Sequence, residues 1–146
     1  MAAKVTSAGE FAENWMKLLF QGVDWPGIAT ADLASPGDKV WVSLHTANPG
    51  PSGNQATNES QYQGYKRVGV DRSTAAWIVT GNSVSPAAPV TFPTVTAGSE
   101  ELTYLGIGQY NAGAGHLFYW ALLQPSIQVV TGLVPELLPT TQVEET

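Results

Sequence analysis

The sequence predicts an all-β domain, a jelly-roll-like antiparallel sandwich with one short N-terminal helix. Three observations carry the prediction. From Val40 onward, apolar residues recur with a period of two. Glycine, proline and asparagine interrupt these runs at short intervals, as they do in sandwiches and barrels. Only one stretch, near the start, has a helical period.

That stretch begins at Ser7-Ala8-Gly9-Glu10, which has the form of a capping box. Phe11, Trp15, Leu18 and Leu19 follow at i, i+4, i+7 and i+8, and Gly22 offers a C-terminal stop. The helix either packs on the sheet of its own domain or serves as an arm reaching a neighbouring subunit. Residues 1–39 form this helix and an extended segment, and residues 40–146 form the sandwich, within one domain overall.

Val40-Trp41-Val42-Ser43-Leu44-His45-Thr46 alternates, with Val40, Val42 and Leu44 on one face. Asn48-Pro49-Gly50-Pro51-Ser52-Gly53-Asn54 is turn chemistry and opens a polar loop that runs to about Gly64. Further strands are expected near Tyr65–Asp71, Ala76–Thr80, Val90–Phe92, Leu102–Gly108, His116–Leu123, Ile127–Val130 and Leu133–Leu138. Breakers at Gly81-Asn82, Pro86, Pro93, Ala97-Gly98, Asn111 to Gly115, Pro125 and Gly132 separate them. Leu117 to Leu123 is apolar on both faces, so both are expected to be covered, one of them by another chain if the strand is not central. No internal repeat or linker divides the chain.

Composition narrows the function. Charged residues make up 12% of the 146 residues, against about 25% in an ordinary globular domain. Small neutral polar residues fill the gap, which suits a surface that meets other proteins. The net charge is −6; residues 1–72 carry −1 of it, and residues 73–146 carry −5 with no Lys or Arg at all. Nucleic-acid binding draws on Lys and Arg, and the sole local cluster is Lys66, Arg67 and Arg72. Neither nucleic acid nor an anionic membrane is expected as a partner. With no cysteine, disulfides, thiolate nucleophiles and Cys-based zinc sites are excluded. Met1 to Glu10 lacks the layout of a secretory signal, and no apolar run approaches the roughly 20 residues of a membrane span. Synthesis in the host cytoplasm without classical export is the expectation.

No catalytic constellation stands out. Ser43 and His45 share a strand face, with Cβ atoms roughly 6–7 Å apart, and an acid such as Asp71 would complete a triad. No Gly-x-Ser-x-Gly elbow accompanies them, and a polar stripe on the outer face of the strand accounts for both. His45 and His116 have no acid at zinc-ligand spacing. Glu100 and Glu101 are adjacent, so their side chains point opposite ways on a strand. Neither Gly106-Ile107-Gly108 nor Gly113-Ala114-Gly115 has the context of a nucleotide loop. No enzyme activity, cofactor or metal is expected. The aromatic residues point instead to packing and contact. Trp77, Tyr104 and Phe92 read as core. Phe11, Trp15, Leu18, Trp25, Trp41, Phe118, Trp120, Leu137 and Leu138 read as interface residues.

One long stretch is recognisable. It comprises Leu44-His45-Thr46-Ala47-Asn48-Pro49-Gly50 and Gly53-Asn54-Gln55-Ala56-Thr57-Asn58-Glu59, then Tyr62-Gln63-Gly64-Tyr65-Lys66-Arg67-Val68-Gly69-Val70, with Arg72, Trp77, Gly81-Asn82 and Phe92-Pro93. It resembles the small β-rich virion proteins of tailed phages and prophages, often labelled tail-fibre proteins. Similar proteins of this size include jelly-roll cement, or decoration, proteins that clamp major capsid proteins on the outside of the head. The resemblance covers the middle third, continues weakly through Leu105 to Gly108 and Gly113 to Gly115, and does not reach the segment up to Lys39. It implies a virion role through protein–protein contacts. The first expectation is a capsid cement on the outer surface of the head, with the major capsid protein and copies of itself as partners. The alternative is a tail-fibre or baseplate component with host-surface carbohydrate binding.

Overall fold

A computed structural model describes residues 8–144. Helix α1 spans Ala8–Met16 and runs into a wider π-helical turn, Lys17–Gln21. Gly22 ends it as expected: its left-handed backbone (φ 64°) returns its N–H to the Lys17 carbonyl. A Cβ there would also lie 3.0 Å from the Arg72 carbonyl oxygen, so the position requires glycine on two grounds. Ser7, the expected cap, lies outside the described residues; Glu10 sits in the first turn, where its charge complements the helix dipole. The buried stripe is centred one residue later than expected, on Ala12, Met16, Leu19 and Phe20. Trp15 and Leu18 are half-buried, and Phe11 is 46% exposed.

Nine strands follow among the described residues: β1 Lys39–His45, β2 Val68–Asp71, β3 Trp77–Thr80, β4 Ser83–Pro86, β5 Val90–Thr91, β6 Glu101–Gly108, β7 Leu117–Gln128, β8 Glu136–Leu137 and β9 Val143–Glu144. All pairings are antiparallel. One sheet has the order β2-β1-β6-β7; β3-β4-β9 and β5-β8 form two smaller sheets. Val40, Val42 and Leu44 of β1 and Leu105 and Ile107 of β6 share one core with Trp77, Val84, Val90, Leu137 and Val143 of the smaller sheets. The expected all-β class with one N-terminal helix is the class observed.

Local differences from the sequence expectation have physical reasons. His116–Leu123 and Ile127–Val130 were expected as two strands, but β7 is continuous through Pro125. Its pairing with β6 shifts register there, from Tyr104 against Leu122 to Leu102 against Ile127, so Pro125 sits in a bulge of an outermost strand where its missing N–H breaks no ladder bond. β4 was not expected, since Ser83-Val84-Ser85-Pro86 is weakly apolar; the hairpin turn at Gly81-Asn82 brings it into register, Thr80 against Ser83 and Trp77 against Pro86. The strand expected from Tyr65 begins only at Val68, because the preceding residues turn away from the ladder. Of Leu133–Leu138, only Glu136–Leu137 is a strand, although the Pro135 and Leu133 carbonyls accept from Phe92 and Val95 N–H.

The N-terminal segment is part of this core. The Phe20 ring is fully buried, 4.8 Å edge-to-face from Trp77 and 5.9 Å from Tyr119. The Arg72 guanidinium donates to the carbonyls of Leu18, Leu19, Asp32 and Gly37, fastening the helix and the following segment to the end of β2. Trp77 and Phe92 are each 2% exposed, as core aromatics should be, whereas Tyr104 is half-buried. Among the described residues no helix is long and apolar enough to cross a membrane. Phe20→Ala is expected to lower the unfolding free energy by about 3–5 kcal/mol, read by urea denaturation. A loss within error would mean that the helix is an appendage and not a wall of the core.

Candidate functional site

The two faces of β1 have different fates. Val40, Val42 and Leu44 face the core, whereas Trp41, Ser43 and His45 face the other side of the sheet. That outer face is not a wet polar stripe. Ser43 and His45 are both 0% exposed, because the chain after β1 folds back over them.

Local turn chemistry makes the fold-back. Asn48 Oδ1 accepts from Gly50 N–H at 2.9 Å, and Asn54 Oδ1 accepts from Ala56 N–H at 2.8 Å. Asn58 takes a left-handed backbone (φ 54°), a conformation asparagine tolerates. Thr46 N–H then reaches the Asn58 carbonyl, and Ser60 N–H reaches the Leu44 carbonyl, both at 2.8 Å.

Side chains lock the loop down. Arg67 donates from Nε to Glu59 Oε2 at 2.5 Å and from Nη2 to Glu59 Oε1 at 2.9 Å. It also donates to the carbonyls of Tyr110 (2.8 Å) and Gly113 (2.6 Å) in the β6–β7 loop. The Arg67 side chain is 1% exposed, so this is a buried charge, held by a two-pronged carboxylate and two carbonyls. The Tyr65 hydroxyl donates to Glu59 and accepts from Leu44 N–H. Burial and the adjacent Glu59 push its pKa far up. Gln55 is 0% exposed and pairs with both backbone groups of Tyr110: Oε1 accepts from N–H at 2.8 Å and Nε2 donates to the carbonyl at 3.1 Å.

Glycines make room for these groups. A Cβ at Gly106 would lie 2.6 Å from both His45 Nε2 and Ser43 Oγ, and one at Gly108 would lie 2.3 Å from Gln55 Cδ. Gly106, Gly108 and Gly115 are therefore positions of close approach, whereas Gly113 has open space around it and serves the turn through its left-handed backbone (φ 80°). Glu100 fastens the far end of the loop, accepting from Ser60 Oγ and from the N–H groups of Gln61 and Tyr62. Burial, with Glu100 nearby, raises the Tyr62 pKa to about 12. Glu101 points the other way, to Ser126 Oγ.

Ser43 and His45 do touch. Nδ1 lies 2.8 Å from the Thr57 carbonyl and must donate to it, so Nε2 accepts from Ser43 Oγ at 2.8 Å. This polarity suits a nucleophile and its base, but the orienting group is a carbonyl and the pair is sealed from solvent. Asp71, the candidate third member, pairs with Lys39 at the opposite end of β1. The pair is thus a structural clasp. Among the described residues no group of three His, Cys, Asp or Glu side chains is placed to hold a metal ion.

The expected interface residues are scattered. Phe11 meets Trp25 edge-to-face at 5.3 Å, and Trp15 Nε1 donates to the Tyr119 hydroxyl at 2.9 Å. Leu18, Phe118 and Trp120 are half-buried. Leu138 is 53% exposed, whereas Leu137 is 6% exposed and part of the domain's own core, which leaves it no surface for a partner. Trp41 is half-buried and floors a depression of about 560 Å³ with Lys66, Asn111, Ala112 and Gly113 around it and the Glu59–Arg67 pair beside it. The sequence reading missed this gathering, since its members lie tens of residues apart; the Gly-x-Gly pairs of β6 and the β6–β7 loop were the available signal.

Two predictions follow from the clasp. Burial lowers the His45 pKa below 6.5, so the unfolded chain takes up the proton first. The stability that neutral His45 contributes is complete above pH 6.5 and is lost as pH falls toward the folded-state value. Thermal midpoints of the wild-type protein should therefore drop between pH 7.5 and 5.5, and His45→Gln should flatten that drop; an unchanged slope would contradict the assignment. Glu59→Gln leaves Arg67 a buried charge without its carboxylate and should lower stability by about 3–5 kcal/mol in urea denaturation.

No curated protein matches the chain. The family model described as podophage GP4 fiber I protein gp80 matches residues 12–144. The match takes in the second half of helix α1, the π-helical turn and the segment up to Lys39 that the middle-third resemblance left out, together with both halves of the loop clasp. On that match, the chain belongs to the podophage GP4 fiber I protein gp80 family, a family of phage virion proteins.

Proposed function

We propose that this protein is a structural component of a podophage tail fibre, acting through contacts with neighbouring virion proteins and copies of itself, without catalysis. The observation that carries the reading is the family match along residues 12–144, whose description names a fibre protein. The site geometry supports a non-enzymatic role. Ser43 and His45 are sealed, and Arg67, Glu59 and Gln55 are engaged with one another or with backbone. Contacts would use apolar groups left at the surface: Phe11 beside Trp25, Leu122 at 52% exposed, and Leu138.

The capsid-cement reading, with the major capsid protein as partner, calls for the same kind of scaffold; the family description favours the fibre. Quantitative mass spectrometry of purified particles separates the two. A fibre component should be present at a small fraction of the copy number of the major capsid protein. A ratio within a few-fold of unity would overturn the fibre reading in favour of the cement.

A further inference from the structure

We propose that the depression floored by Trp41 binds an acidic pyranose, a sugar ring bearing a carboxylate, within a glycan. This deepens the fibre reading and rests on it only for where the glycan would be met.

The first observation is how Trp41 is held. Its ladder neighbours are Gly69 on β2 and Gly108 on β6; the Gln55 side chain fills the space over Gly108, and the Lys39 side chain shares the space over Gly69 with the indole. A Cβ at Gly69 would come within 2.9 Å of Trp41 Cη2 and Cζ3, which means that the indole lies over the Gly69 backbone. Trp41 is half-buried and lines the depression, so part of the indole is open to a ligand there. The apolar face of a pyranose stacks on such a surface, leaving its hydroxyl groups at the rim.

The second observation is the charge. Both Glu59 oxygens are taken by Arg67 and Tyr65, and the Arg67 side chain is 1% exposed. Lys66 is exposed and has no ion-pair partner among the described residues. Among the described residues, the depression therefore presents one free cation and no free carboxylate, on a chain whose net charge is −6. An anionic ligand is repelled by most of this surface and is favoured here, through a charge-assisted hydrogen bond to Lys66. A single cation beside one indole suits one carboxylate and lacks the stripe of cations that a polyphosphate needs.

The third observation is the rim. Asn111 is exposed and its amide has no hydrogen-bond partner within the protein among the described residues, so donors and an acceptor are free for hydroxyl groups. The volume of about 560 Å³ accommodates a sugar ring. Packing over Gly69 alone would explain the indole, but not an open volume ringed by an unpaired ammonium and an unpaired amide.

The test uses the full chain, titrated with trigalacturonate and, in parallel, with the neutral trisaccharide maltotriose, followed by amide chemical shifts. Trigalacturonate should shift the amides of Trp41, Lys66, Gly69 and Asn111 and bind more tightly than maltotriose. Trp41→Ala should weaken it by about tenfold or more, equivalent to about 1.4 kcal/mol. Lys66→Gln, at an exposed position that leaves the fold intact, should reduce trigalacturonate binding to the level of maltotriose. Shifts from neither sugar, equal affinity for both, or binding untouched by Lys66→Gln would overturn the proposal. The assay reads the isolated protein, so its outcome is independent of the copy number in the particle.

Discussion

The outer face of this protein depends on one ion pair, in which the Arg67 side chain is 1% exposed and that of Glu59 19%. Removing two charges from water costs several kcal/mol per ion. Arg67 offsets this with two bonds to Glu59 and two to carbonyls, and Glu59 gains a third donor from Tyr65. Glu59 belongs to the loop after β1, Arg67 precedes β2, and the carbonyls belong to the β6–β7 loop. One guanidinium thus joins three irregular segments, which isolated bridges and the Gln55 bonds to the β6–β7 loop hold alongside it. With them in place, Ser43, His45 and Gln55 are sealed beneath, and Trp41 is left at the margin with a defined floor and rim. Apolar burial explains the inner face of the sheet; polar satisfaction explains the outer one.

Much of the architecture was legible because it rests on local signals. The period of two gave β1, β3 and β6, and Gly81-Asn82 gave the β3–β4 turn, although not β4 itself, whose buried apolar side chains are Val84 and a proline that reads as a breaker, Pro86. The helix and its stop at Gly22 were readable, but its buried face was misplaced by one residue, because Ala12 and Met16 form a stripe as regular as that of Phe11 and Trp15. Pro125 misled in the other direction, since a breaker rule takes no account of a bulge through which an edge strand runs on.

The site was legible only as a resemblance. Ser43 and His45 looked solvent-facing because polar residues at strand spacing usually are, and their cover comes from residues 12 or more positions away. The bonds that define the clasp, such as Arg67 to Gly113 and Gln55 to Tyr110, span 46 and 55 positions. No window of local pattern contains them. Yet the quoted motif residues His45, Gln55, Glu59, Tyr65 and Arg67, with Gly106, Gly108, Gly113 and Gly115, are the members of the clasp. The long motif is a set of partners and not a set of reactive groups. That is the expected signature of a virion structural protein, in which a loop must keep one shape on an exposed particle while carrying little charge.

The most direct test of this account is native-state amide hydrogen exchange across residues 46–66, a stretch that contains no strand. If the Glu59–Arg67 pair locks the loop onto the sheet, the N–H groups of Thr46, Gln55 and Ser60, together with that of Tyr110, should exchange as slowly as those of β1 and β6, opening only when the whole domain unfolds. Exchange at the rate of an ordinary surface loop, with β1 and β6 still protected, would contradict the claim that the outer face is built on this interaction.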